Sequence, residues 1–341
     1  MADMASTVRV SSQMRPSASA ETGDRPPVAR PSKTTIYAAL VGNLLIAITK
    51  FVAAALTGSS AMISEGVHSL VDTTNEVLLL YGLKRSVKPP DAGHPLGHGR
   101  ELYFWSFIVA LLVFALGAGV SFYEGVIHIL EPTKVENPTI NYVVLALSFL
   151  FEGGSWWIAL KHFRKAKGDN GYLDAIRISK DPATFTVLLE DTAALLGILM
   201  AAAGILAAQV FEMPELDGAG SLGIGALLAV TAMFLARESK GLLIGERASP
   251  AMEAAILAMA ENDPAVHKAN GVVTVHLAPD QVIAALSAEF HDNARADDIE
   301  ACVERLERRL AVERQEITVL FVKPQTAKRW RSAEAAQAPK S

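Results

Sequence analysis

The sequence predicts an α-helical membrane protein: six transmembrane helices followed by a small cytoplasmic α+β domain of ferredoxin-like α-β-β-α-β order. Three observations carry that expectation. Six apolar runs approach the ~20 residues needed to cross a bilayer, Lys and Arg are distributed unevenly among the connecting loops, and the C-terminal stretch alternates helical and strand periodicity. Of 341 residues, 51% are hydrophobic, too many for an ordinary soluble enzyme of this length. The net charge of -5 is small and speaks against a nucleic-acid partner. The single cysteine, Cys302, excludes an internal disulfide and a thiolate zinc cluster, so a metal site must use His, Asp and Glu.

Residues 1–33 are rich in Ser, Ala, Pro and Arg, contain no long apolar run, and read as a disordered cytoplasmic tail. An organelle transit peptide is the weaker reading, because Asp3, Glu21, Asp24, Pro26 and Pro27 interrupt it. The transmembrane domain is expected over 34–245, with spans near 35–56, 60–83, 102–130, 140–162, 183–211 and 219–240. Arg25, Arg30 and Lys33 precede the first span. Lys84, Arg85, Lys88 and Arg100 follow the second, and Lys161, Arg164, Lys165, Lys167, Arg177 and Lys180 follow the fourth. The opposite loops carry Lys134 with Glu131, Glu136, Glu212, Glu215 and Asp217. Positive loops remain inside, so both termini are expected in the cytoplasm.

A C-terminal domain is expected over 246–325, with a disordered tail over 326–341. Ser249 and Pro250 are an N-cap and first helical position for a helix to about Asn262. Gly271–Leu277 and Gln281–Phe290 read as strands, Ile299, Val303, Leu306 and Leu310 recur at helical spacing, and Glu316–Val322 is β-branched. The amphipathic helix and apolar strands suggest a dimerisation platform. His267, His276 and His291, with Asp292 and Asp297, are scattered and read as surface polar groups.

The second span carries the chemistry. Glu65, His68, Asp72 and Asn75 or Glu76 fall three or four apart and form one polar stripe on an apolar helix. Ionisable groups at membrane depth cost roughly 2.5–3.5 kcal/mol each on insertion scales, so that face must line a protein interior or a wet cavity. His68 and Asp72, one turn apart, can reach a single ion. Zinc takes four ligands, so this helix supplies half a site and another must supply the rest. The fifth span offers Glu190 and Asp191, the only acids in its core. A metal-ligating His must be neutral, so metal binding releases protons and the emptied site can carry them back.

The segment 91–100 adds Asp91, His94 and His98, three metal-competent side chains in a Gly- and Pro-broken loop. A polar turn whose histidines cap helices is the alternative. Lys50 in the first span neutralises an acidic group or snorkels, and Glu152 in the fourth pairs with it or lines a pathway. Small residues at Ala115–Gly119 and Gly218–Gly225 suggest close helix packing.

These residues resemble the cation diffusion facilitator family of divalent-metal/proton antiporters over about 35–324. SSAMISEGVHSLVD resembles its second-helix motif, GHPLGHGRELYFWS the loop that follows, and LLEDTAALLG is similar to the zinc-transporter-nine-like branch. The resemblance implies a homodimeric exporter embedded in membrane lipid, not an enzyme. Its cargo would be a divalent ion, Zn²⁺ first, moving against protons, with no resident cofactor. It assigns His68, Asp72 and Asp191 to the transport site and Asp91, His94 and His98 to a loop site. The chain departs at Val187, four residues before Asp191, where the family places another ligand. Glu190, ~100° around the helix, or water would then complete the set. In the soluble domain only His267 falls on a family ligand position, so weak or no metal binding is expected there.

One imidazole with carboxylates also suits Mn²⁺, Fe²⁺ or Co²⁺, so a manganese or iron exporter stays open. A transport-dead regulatory subunit is a further reading, favoured by Val187. An intramembrane metallohydrolase is less well supported, since no HExxH motif is present. The membrane expected is a bacterial inner membrane, with an organelle membrane second.

Overall fold

The computed structural model describes residues 33–167, 171, 172 and 180–337. The tail expected over 1–33 lies outside the described residues up to 32, as does Arg177. The chain divides into two units, Met1–Ala39 and Leu40–Ser341. Of the first, only the opening turns of helix α1 are described.

Six long helices follow in order among the described residues: α1 (Lys33–Thr57), α2 (Ser60–Ser86), α3 (Glu101–Leu130), α4 (Pro138–Lys167), α5 (Pro182–Val210) and α6 (Glu215–Ile244). All but α2 are long and apolar enough to cross a membrane; the polar stripe lowers the hydropathy of α2 without shortening it. Gly58, at φ +69, turns the chain sharply between α1 and α2, a conformation that costs glycine little. Ser59 then caps α2 by accepting from the Met62 N–H at 3.2 Å. Lys84 and Arg85 close the same helix, where cations complement the helix dipole. Within α3, residues Val113–Ala118 form a π-helical segment.

The expected small-residue packing is present. A Cβ on Gly125 would lie 2.8 Å from the Gly218 carbonyl oxygen, and one on Gly204 would lie 3.1 Å from the Gly220 Cα. α3, α5 and α6 therefore approach at backbone distance. Leu228, Ile224, Ala232, Ile205 and Ala201 fill the space between them.

The second half of the larger unit is α7 (Pro250–Glu261), β1 (Val266–Ala278), β2 (Gln281–Phe290), α8 (Ala296–Glu313) and β3 (Ile317–Pro324), the order expected. β1 pairs antiparallel with β2, and β2 pairs parallel with β3. Ser249 caps α7 and Pro250 occupies its first turn. β1 starts at Val266, earlier than expected, because register shifts at 266–268 and 269–271 pass over His267 and Asn270 and let Lys268 and Ala269 continue the pairing. Cys302, Leu306 and Leu310 of α8 pack onto Ala284, Leu286 and Ala288 of β2. The apolar stripe of α8 is thus spent on the core of its own domain.

The C-terminal tail is corrected. Residues 327–337 form a helix, α9 (Ala327–Gln337), in place of disorder. The Glu289 carboxylate accepts from the Ala327 N–H at 2.9 Å, and the Trp330 ring lies over Gly271, where a Cβ would come within 2.4 Å of it.

Candidate metal centre

The α2 stripe faces inward as its spacing requires. Glu65, His68 and Asn75 are buried, and Asp72 is 22% exposed. His68 Nδ1 stands 3.4 Å from Asp72 Oδ1, yet neither His68 nitrogen makes a hydrogen bond, and Asp72 Oδ1 is likewise unpartnered. Buried polar atoms normally find partners. An imidazole with both nitrogens free beside a carboxylate oxygen is a donor set suited to a cation.

α5 places its two acids on different neighbours. Glu190 Oε1 accepts from Asn75 Nδ2 of α2 at 2.8 Å, while Asp191 Oδ2 accepts from Ser155 Oγ of α4 at 3.1 Å. The ~100° between consecutive helical residues thus divides them between α2 and α4. Asp72 nevertheless lies within electrostatic reach of Glu190, Glu152 and Asp191, although among the described residues no three ligand atoms of this set lie within 4.8 Å of one another. Val187 offers no donor there.

Lys50 does not snorkel. Its ammonium is wholly buried and donates to Glu65 Oε2 at 2.9 Å, Ser69 Oγ at 2.8 Å and Glu152 Oε1 at 3.0 Å, tying α1, α2 and α4 together. Asn43 of α1 donates to Glu76 Oε2 at 3.2 Å near the end of the stripe.

The loop residues come together more tightly. Asp91, His94 and His98 each offer an atom within 4.8 Å of the others, the only such trio found among the described residues. Asp91 Oδ1 lies 3.1 Å from His94 Nδ1, and Asp91 Oδ2 lies 3.0 Å from His98 Nε2. The His98 contact, then the His94 backbone N–H, hold the Asp91 carboxyl well below the usual range. Gly99 presses the loop against the soluble domain, where a Cβ would meet Gln281 Oε1 at 2.8 Å and the Leu277 carbonyl oxygen at 2.9 Å. A cleft of about 490 Å³ runs between His94, His98 and the sheet residues Val275, Leu277 and Ile283.

Sequence reasoning missed several buried polar groups, Asp217 foremost. Asp217, counted above as a loop acid, lies inside α6 and is fully buried. It accepts from Ser59 Oγ at 2.8 Å and the Ser60 N–H at 2.6 Å, with His128 Nε2 3.7 Å away. Its spacing from Ser221, one turn on and paired with Ser60 Oγ at 2.6 Å, was the available signal. Ser69 and Ser155, which position Lys50 and Asp191, carried none. In the soluble domain His276 is buried and its Nδ1 lies 3.2 Å from the Ala278 carbonyl, which corrects its surface reading. His267 and His291 are exposed with ring centroids 5.3 Å apart.

Residues 36–244 match the cation efflux transmembrane domain. The chain is 37% identical over 250 residues to the human proton-coupled zinc antiporter SLC30A9, mitochondrial, covering 72% of this chain and 44% of that protein. The Xenopus laevis counterpart is 36% identical over 244 residues, covering 71% and 44%. Metal tolerance protein C4 of Arabidopsis thaliana is 34% identical over 237 residues, covering 69% and 52%. The matches thus span about half or less of each relative. The two SLC30A9 relatives are antiporters by name, not enzymes, and the family match covers the six long helices. The chain is an integral membrane protein and belongs to the cation efflux, or cation diffusion facilitator, family, in the branch that includes SLC30A9.

Proposed function

We propose that this protein exports a divalent metal ion, zinc first, from the cytoplasm in exchange for protons by alternating access. The observation that carries the reading is the buried His68 beside Asp72, with both ring nitrogens and Asp72 Oδ1 unpartnered and the α5 acids in electrostatic reach. His68, Asp72 and Asp191 are the transport ligands, with Glu190 joining from α5. Neutral imidazole and carboxylates can give up metal and take protons in turn, which couples the two fluxes.

Asp91, His94 and His98 form a second site at the cytoplasmic mouth. Both termini face the cytoplasm, on the loop-charge argument above, and the membrane is one that sustains a proton gradient, a bacterial inner membrane. The transporter works as a homodimer. Exposed Val273 of β1 and Phe321 of β3, aligned across Ala285 on one sheet face, support a dimer contact there. The donor set, rich in carboxylate and holding one imidazole, favours manganese or iron as the alternative cargo. Val187 keeps a regulatory, non-transporting role as the other alternative.

The test is zinc flux into liposomes holding the purified chain under an imposed pH gradient, beside Asp72→Ala and Asp191→Ala, with manganese and iron as competitors. Flux that follows the gradient and disappears in both variants is expected. If the wild-type chain moves none of the three metals, the transport reading falls and the regulatory one replaces it.

A further inference from the structure

We propose that Glu152 of α4 is itself a ligand of the transported ion, and that Lys50 is the internal cation that holds Glu152 when the ion is elsewhere. The inference rests on the transport reading and extends it to a third helix.

The ligand count motivates it. Zinc takes four ligands, and α2 supplies two, His68 and Asp72. Asp191 of α5 is the third ligand; Glu190, the other α5 acid, is held by Asn75 at 2.8 Å, so a carboxylate from another helix can share the fourth place. Val187, one helical turn before Asp191, carries no donor atom. Glu152 lies midway along α4, where no other acid occurs. Ser155, one turn further along α4, donates to Asp191 of α5 at 3.1 Å, and Lys50 joins Glu152 to Ser69 of α2, the neighbour of His68, so Glu152 stands between the two halves of the site.

Its two oxygens are used unequally. Oε1 accepts from Lys50 at 3.0 Å, whereas Oε2 is buried and has no partner. Glu65, on the far side of the same ammonium, repeats the pattern: Oε2 binds Lys50 and Oε1 is unpartnered. Both nitrogens of His68 are likewise buried without a hydrogen-bond partner. A structural ion pair would leave no such surplus, since unsatisfied buried acceptors cost about 1–3 kcal/mol each. A cation satisfies them.

Charge points the same way. Lys50 bonds Glu65 and Glu152, while Glu190 and Asp191 are held by the neutral side chains of Asn75 and Ser155. Lys50 is on α1 and cannot leave, so it acts as a tethered monovalent ion on Glu65 and Glu152. An arriving divalent ion competes with it for Glu152, while Glu65 stays with Lys50. Lys50 is therefore a positioning residue and Glu152 a ligand.

The experiment measures zinc affinity by calorimetry on the full chain carrying His94→Ala and His98→Ala, which silences the loop trio. The visible absorption of bound Co²⁺ reports coordination in parallel. Glu152→Gln is expected to weaken zinc binding by more than about tenfold, beyond the lower limit for losing an outer-shell partner, and to alter the cobalt spectrum. Lys50→Gln is expected to tighten binding, since it removes the competing cation. The Lys50→Gln/Glu152→Gln double variant removes both charges together and so avoids a buried unpaired lysine. If Glu152 were only structural, the double variant would bind zinc as the parent chain does, with the parent cobalt spectrum, and that result overturns the proposal. A parent chain that binds no zinc at all overturns the transport reading beneath it.

Discussion

The backbone N–H of Ser60 donates to Asp217 Oδ2 at 2.6 Å, so the first turn of α2 is held by a carboxylate from α6. The Ala61 N–H reaches the same oxygen at 3.3 Å, and Ser59 Oγ donates to Oδ1 at 2.8 Å. A helix N-terminus carries unpaired N–H groups and partial positive charge, and a buried anion satisfies both. The axial position of α2, and with it that of His68 and Asp72, is thereby fixed to α6.

Asp217→Ala removes the acceptor from three donors at once. A hydrogen bond to a charged group contributes about 1.5–3 kcal/mol, so a loss of at least ~3 kcal/mol is expected. Thermal unfolding in detergent measures it, and Asp217→Asn, which keeps one acceptor oxygen, should lose less. An unshifted melting temperature for Asp217→Ala would contradict the anchoring role.

A pH-dependent term resides in the soluble domain. Arg305 grips Asp263 with Nε to Oδ2 and Nη2 to Oδ1, both at 2.8 Å, and this holds the Asp263 carboxyl down at about 2. The folded value lies below the ordinary ~3.9. The pair's contribution to stability is therefore fully present above about pH 4 and is lost as pH falls toward 2. Cys302, the single cysteine, reports on it: burial pushes its thiol up to about 12, and it lies in the core beside Asp263. Labelling by a disulfide reagent active in acid, normalised to the rate in denaturant, should accelerate between pH 4 and 2. Asp263→Asn should flatten that rise; the same acid dependence in the variant would assign it to another group.

What the sequence reveals is what is local or periodic. The long helices follow from apolar runs, α7 from Ser249-Pro250, and the loop trio from donors within eight positions of each other, so that folding need only bend one segment to assemble it. What it hides is long-range pairing. Ser60 and Asp217 are 157 residues apart, and Lys50 and Glu152 are 102 apart. In both cases the sequence shows a costly buried charge without naming its partner. The inward face of Asp217 is hidden because one turn at a helix start reads as loop. α9 is polar and short, and its order comes from Gly271 and Glu289, which lie well upstream. The division of Glu190 and Asp191 between α2 and α4 follows from helical geometry alone, but which acid faces which helix does not.

The loop trio yields a prediction that separates it from the membrane site. Asp91 Oδ1 also accepts from the Gly93 and His94 N–H groups at 2.8 and 2.7 Å, so the carboxylate is oriented by its own loop before any ion arrives. His98 is 8% exposed whereas His94 is open to solvent. The difference arises because Gly99 seats the loop on Leu277 and Gln281 of the soluble domain. In a chain carrying Asp72→Ala and Asp191→Ala, zinc binding measured by competition with a coloured chelator should report the loop alone. Asp91→Asn in that background should weaken binding by more than about tenfold, as loss of a charged ligand does more than loss of an outer-shell partner. Gly99→Ala, whose added methyl must displace the Leu277 carbonyl or Gln281, should weaken it as well although it touches no ligand, because lifting the loop frees His98. Undiminished binding in Gly99→Ala would show that the trio assembles without the soluble domain. In the otherwise wild-type chain, Asp91→Asn should leave gradient-driven flux in place, because the ion crosses at His68 and Asp72.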